Sequence, residues 1–137
     1  MKIMAIDYGD ARTGVAVSDR TLLLCGFSTV ITAYRPEAVI AAIQKLIAEH
    51  EVTELVLGHP LNMDGTRGER AEKAEVFAEA LRAATALPVT LWDERRTTID
   101  AHNILSANGL HVRDHKKTVD AVAAALMLEG YLTFRKR

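Results

Sequence analysis

A single cysteine in 137 residues leaves no internal disulfide to form and no Cys-rich zinc site to fill. Cys25 sits among Leu22, Leu23, Leu24 and Phe27, which reads as a buried thiol. No apolar run approaches the roughly 20 residues of a membrane helix. The opening run from Met1 to Ile6 is cut short by Asp7 before it reaches the length of a signal-peptide core, so a cytosolic chain with no membrane partner is expected. Excess charge is also missing. Seventeen Lys and Arg against 18 Asp and Glu give a net charge of −1, unlike domains that grip nucleic acid everywhere through bulk charge. Any such contact would be local, through clusters such as Arg95-Arg96, His115-Lys116-Lys117 and Arg67/Arg70/Lys73, each of which alone reads as a solvated face. Repeats, low-complexity stretches and Pro/Gly/Ser-rich linkers are absent as well, which predicts one domain over 1–137.

What is present is 49% hydrophobic and 26% charged, the balance of a globular chain with a core. Apolar stretches at 2–7, 14–18 and 22–33, separated by Gly9-Asp10 and Asp19-Arg20, predict a three-stranded antiparallel meander. Pro36 suits a helix start, and Val39, Ile40, Ile43, Leu46 and Ile47 recur at helical spacing to about Glu49. A buried strand over 54–58 follows, then a Gly-rich connection, then a helix over 69–84 with Val76, Phe77, Ala80 and Leu81 inward, then a strand over 89–92. Thr97-Thr98-Ile99-Asp100 has capping-box form and predicts a short helix ending near Asn108-Gly109. A last helix is expected from near Thr118, with Val119, Val122, Ala123, Leu126 and Met127 on one face. The fold class is therefore α/β, a five-stranded mixed sheet whose later strands run parallel to the first, flanked by helices.

In such sheets ligands bind beyond the carboxyl ends of the strands. Asp7 ends the first strand before Gly9, and Glu94 with Asp93 follows the last one, so the carboxylates fall at one edge. Taken singly, Asp7 also suits a turn, Glu94 a surface loop, and Asp120 the positive end of a helix dipole. Ala123 and Ala124, one turn beyond Asp120, would let that helix approach the sheet closely. Three converging carboxylates require cations, and hard oxygen donors select Mg²⁺ or Mn²⁺. The connection from Gly58 to Gly68 joins strand to helix, so its amides, Gly65, Thr66 and Gly68 among them, can hold a phosphate as readily as merely turn the chain. The five histidines form no zinc-binding spacing and read as exposed bystanders.

Four motifs occur in order: Asp7-Tyr8-Gly9 with Arg12, Gly14, Ala16 and Ser18-Asp19; Gly58-x-Pro60 with Gly65-x-x-Gly68-x-x-Ala71; Asp93-Glu94-Arg95-x-Thr97-Thr98; and Lys117-x-x-Asp120-x-x-Ala123-Ala124. Together, over nearly the whole chain, they resemble the YqgF family of ribonuclease H-like nucleases, described both as Holliday-junction resolvases and as pre-16S ribosomal RNA processing nucleases. The resemblance implies a ribonuclease H-like fold and a metal-binding catalytic triad of Asp7, Glu94 and Asp120. Arg96 and Glu129 stand where many relatives carry an apolar residue and Gln.

The chemistry expected is two-metal phosphodiester hydrolysis, with two Mg²⁺ or Mn²⁺ ions activating water and stabilising the leaving oxygen. Arg12, Gly65, Thr66, Gly68, Arg95 and Lys117 would contact substrate. Structured RNA is the favoured partner over branched DNA, with ribosomal or transcription machinery as a further partner and a monomer or homodimer as the working unit. Two rivals come from other classes. A phosphotransferase of the actin and hexokinase type shares the Asp7-x-Gly9 opening but needs two such domains. A non-catalytic docking module would keep the acidic edge without cutting.

Overall fold

In the computed structural model the described residues are 1–93 and 112–135, with side chains described except over 112–118. The elements run β1 (Ile3–Asp7), β2 (Arg12–Ser18), β3 (Cys25–Thr32), α1 (Pro36–His50), β4 (Glu54–His59), α2 (Glu69–Thr85), β5 (Val89–Asp93) and α3 (Val112–Arg135). The short helix expected after Thr97 falls outside the described residues, as do Glu94 and Arg95.

The strands form one sheet in the order β3-β2-β1-β4-β5. β1 pairs antiparallel with β2 and β2 with β3, whereas β4 lies parallel to β1 and β5 parallel to β4. This is the mixed five-stranded arrangement the sequence predicts. Side-chain alternation along each strand divides the apolar residues between two cores. Met4, Ile6, Val15, Val17, Leu55 and Leu57 face α1 and α2. Ile3, Ala5, Ala16, Val56 and Trp92 face α3. β1 is covered on both sides, which is why it reads as an unbroken apolar run.

Local chemistry sets the ends. Pro36 opens α1 as expected, while α1 and α2 end in left-handed residues that are not glycine, Glu51 and Ala86, both at φ 58°. Tyr131 donates to Glu54 Oε2 at 2.7 Å and packs edge-on against Trp92, tying α3 to the far side of the sheet. The Cys25 amide donates to Glu129 Oε2 at 3.2 Å, which pins the start of β3 to α3.

Several expectations are corrected. α3 begins at Val112, not near Thr118. The apolar period starts only at Val119, but the polar residues before it include good helix formers and extend the helix backwards. The buried face of α3 is Ala124, Met127, Leu128, Tyr131 and Leu132, with Val122, Ala123 and Leu126 at its margin. On α2 the buried stripe is Ala71, Ala74, Phe77, Ala78 and Leu81, leaving Val76 71% exposed. β3 starts at Cys25, since Leu22 takes φ 60° in the preceding turn. Cys25 is only half-buried, because Leu23 and Leu24 point outward.

Among the described residues no helix is long and apolar enough to cross a membrane.

Candidate active site

Strand parity places Asp7 on the same side of the sheet as Ile3 and Ala5, the side that α3 covers. Its antiparallel partner is Gly14, which lies on that side with Ala16. At Gly14 the helix backbone presses directly on the strand: a Cβ there would lie 2.3 Å from the Asp120 carbonyl oxygen and 3.3 Å from Ala124 Cβ. The close approach expected from Ala124 is thus met by a glycine on the facing strand. It seats the backbone of Asp120 over Gly14, the register partner of Asp7 at the carboxyl end of β1.

Asp120 is not in the first turn of its helix, because α3 starts at Val112. The helix dipole therefore does not account for it, since that effect fades within the first turn. Its carboxylate accepts from Arg12 Nε at 2.9 Å, with both side chains about one-third exposed. Arg12, expected to contact substrate, opens β2 and balances the charge of Asp120. Lys117 lies on α3 three residues before Asp120.

Beyond the strand ends a cleft of about 400 Å³ is lined by Asp7, Pro60, Leu61, Asn62, Gly68, Glu69 and Arg70. Gly68 is the N-cap of α2, no side chain caps that helix, and Gly68, Glu69 and Arg70 at its start line the cleft. Gly65, at φ 88°, makes the turn that brings the chain back. Thr66 does not line the cleft. Its hydroxyl donates to Asp64 Oδ1 at 2.6 Å and accepts from Asn62 Nδ2 at 2.9 Å, holding the loop in shape.

Arg67 is bound to Glu75, its Nε donating to Oε2 at 2.7 Å. His59 Nε2 hydrogen-bonds the same oxygen at 2.6 Å and is 17% exposed, not the bystander its sequence context suggests. Hydrogen bonds from Arg67 and His59 hold the Glu75 carboxyl down to about 2. A carboxyl whose folded value lies below its unfolded value of 4.5 contributes stability above pH 4.5 and loses it as pH falls toward 2. Urea midpoints measured at pH 5.5 and 2.5 should therefore fall further on acidification for the native chain than for Glu75→Gln. Equal falls would show that the Arg67–Glu75–His59 chain does not couple to folding.

Among the described residues no three His, Cys, Asp or Glu side chains cluster as a metal site. Asp7 and Asp120 are nevertheless the hard oxygen donors that Mg²⁺ or Mn²⁺ selects, and the third expected acid, Glu94, lies outside the described residues.

A model of the RuvX family, described as Holliday junction resolvase, matches residues 1–134. The chain belongs to the RuvX family. The "Putative pre-16S rRNA nuclease" of Halothermothrix orenii is 39% identical over 137 residues, covering 100% of this chain and 98% of the relative. That of Lachnospira eligens is 40% identical over 140 residues, covering 100% of both. The Thermus thermophilus RuvC solved in complex with Holliday junction substrate matches this RuvX-family chain with a TM-score of 0.64 at 14% identity, covering 99% of this chain and 96% of RuvC. The fold is ribonuclease H-like, as the resemblance implies.

Proposed function

We propose that this chain is a metal-dependent nuclease that hydrolyses nucleic-acid phosphodiesters and processes the 5′ end of precursor 16S ribosomal RNA. The seating of Asp120 on Gly14, the strand partner of Asp7, supports this reading, in a chain about 40% identical over its full length to a relative called a "Putative pre-16S rRNA nuclease". Asp7, Asp120 and Glu94 are the residues that would hold the metal. When bound, two Mg²⁺ or Mn²⁺ ions supply an activated water and a stabilised leaving oxygen.

The chain's own residues do the rest. The α2 amides at Gly68 point positive dipole toward a phosphate in the Asp7 cleft, and Arg70 adds a full charge. Arg12 orients the Asp120 carboxylate and limits its repulsion with Asp7. Arg95 and Lys117 are assigned to the substrate backbone. The whole chain, 1–137, acts as one domain in the cytoplasm, on nucleic acid and alongside ribosomal or transcription machinery, as monomer or homodimer.

A second reading, resolution of four-way DNA junctions, is favoured by the family description and by the RuvC likeness. Labelled precursor of small-subunit ribosomal RNA, assayed beside a four-way DNA junction with Mn²⁺, Mg²⁺ or EDTA, separates the two. RNA cutting that EDTA abolishes is expected. Cutting of the junction alone would transfer the assignment to the resolvase reading, and cutting of neither would overturn both.

A further inference from the structure

The cleft at Asp7 continues along α2. Arg70 lines both this cleft and a narrower cavity that also touches Tyr8 and Lys73. Tyr8 and Lys73 in turn line a third cavity, of about 340 Å³, walled by Tyr34, Pro36 and Val76. Shared residues thus set the three cavities side by side, from Asp7, past Arg70, Lys73 and Asp10, to an aromatic end. That end has the size of a small-ligand pocket, for which ~300 Å³ is the lower range.

Its floor is core, formed by Phe77 and Tyr8, but its outer walls are not. Tyr34 is 79% and Val76 71% exposed, a cost that nothing in the packing of α1 or α2 requires. Tyr8 is held rigid by parallel stacking on Phe77, with ring centroids 3.9 Å apart. Lys73 lies 3.6 Å from Asp10, whose carboxylate also lines this cavity. A phosphate backbone is therefore drawn to the Arg70 and Lys73 side, and what enters the aromatic end must be flat and uncharged.

We propose that the Tyr8–Tyr34 cavity is a nucleobase pocket that takes one unpaired base of the strand whose phosphodiester lies in the Asp7 cleft. The pocket rests on the nuclease reading of that cleft, and Arg70, Tyr8 and Lys73 link the two through the cavity between them, so the base is a near neighbour of the scissile phosphate. A cationic track beside an aromatic platform is how proteins hold single strands without reading sequence. A base inside a duplex has both faces stacked and cannot enter, so the substrate class is a strand unpaired next to its cut.

The test is fluorescence anisotropy of a labelled ten-nucleotide RNA and of a blunt duplex, with the full chain in EDTA. Tyr34→Ala is expected to weaken single-strand binding by about tenfold, the scale of one stacked base, and to leave duplex binding unchanged, while Tyr34→Phe retains native affinity. An abasic residue moved along the RNA should cost the native protein the same factor at one position and Tyr34→Ala nothing further there. Native binding by Tyr34→Ala, an equal loss on duplex, or no single-strand binding by the native chain would overturn the pocket. Cleavage reads out the other assignment separately. Cutting undiminished in Tyr34→Ala removes the pocket alone, whereas base binding without cutting in either metal removes the nuclease.

Discussion

Asp7→Asn is expected to fold as the native chain does and to lose metal-dependent cleavage by a factor on the order of 10²–10⁴. The lower bound follows from charge. Bound metal at such a site supplies several kcal/mol of transition-state stabilisation, and each ~1.4 kcal/mol is tenfold in rate. Asparagine keeps the shape of the side chain at the end of β1 but removes the negative charge that makes it a hard cation ligand. Folding should not suffer, because Asp7 is only half-buried and the four residues before it in the strand carry the packing. Thermal unfolding and single-turnover cleavage on the same preparation decide the matter. Undiminished cleavage would remove Asp7 from the catalytic set, while native affinity for uncut RNA with lost cleavage would locate the defect in the chemistry.

The sheet was legible because its strands obey simple rules. The meander has turn residues between apolar runs, and β1, β4 and β5 are short apolar segments joined by helix-length crossovers, which forces parallel pairing. Asp7 was legible for the same reason, as the polar residue closing a run buried on both faces. Asp120 was harder. It lies 108 residues from its partner Arg12, and only the small residues after it hinted at a close helix. The start of α3 was misplaced because the apolar period is silent before Val119, and with it the reason for an acid at Asp120 was misjudged.

Side-chain direction was the other loss. Val76 and Ala80 have the right composition for an inward face of α2, yet the small residues Ala71, Ala74 and Ala78 win that face because they admit a close approach to the sheet. The displaced Val76 then lines the groove beyond Lys73. Thr66 shows the limit of motif reading: a hydroxyl in a Gly-rich loop can serve a phosphate or the loop itself, and here Asp64 and Asn62 take both of its hydrogen bonds. His59 and Glu75, 16 residues apart on β4 and α2, carry no local signal of their pairing.

Gly14→Ala should cost stability and catalysis together. Gly14 is not in the left-handed region, so an alanine backbone is unstrained there, and the change alone would favour folding by restricting the unfolded chain. The contact reverses the sign. The added Cβ would fall 2.3 Å from the Asp120 carbonyl oxygen, which belongs to backbone and cannot swing aside. α3 must lift from β2, loosening the core that Ala124, Met127, Leu128 and Leu132 make with Ile3, Ala5 and Ala16. A loss of about 1–3 kcal/mol is expected, as for overpacked cores, with a melting temperature lower by several degrees. Displacing Asp120 by even an ångström should slow cleavage by on the order of 10²-fold. Gly26→Ala is the matched control, since its Cβ would meet Asp19 atoms at 3.3 Å or more, far from either acid. Calorimetry and cleavage of both variants test the seat of the helix directly, and native stability with native activity in Gly14→Ala would mean that α3 does not hold Asp120 against β2.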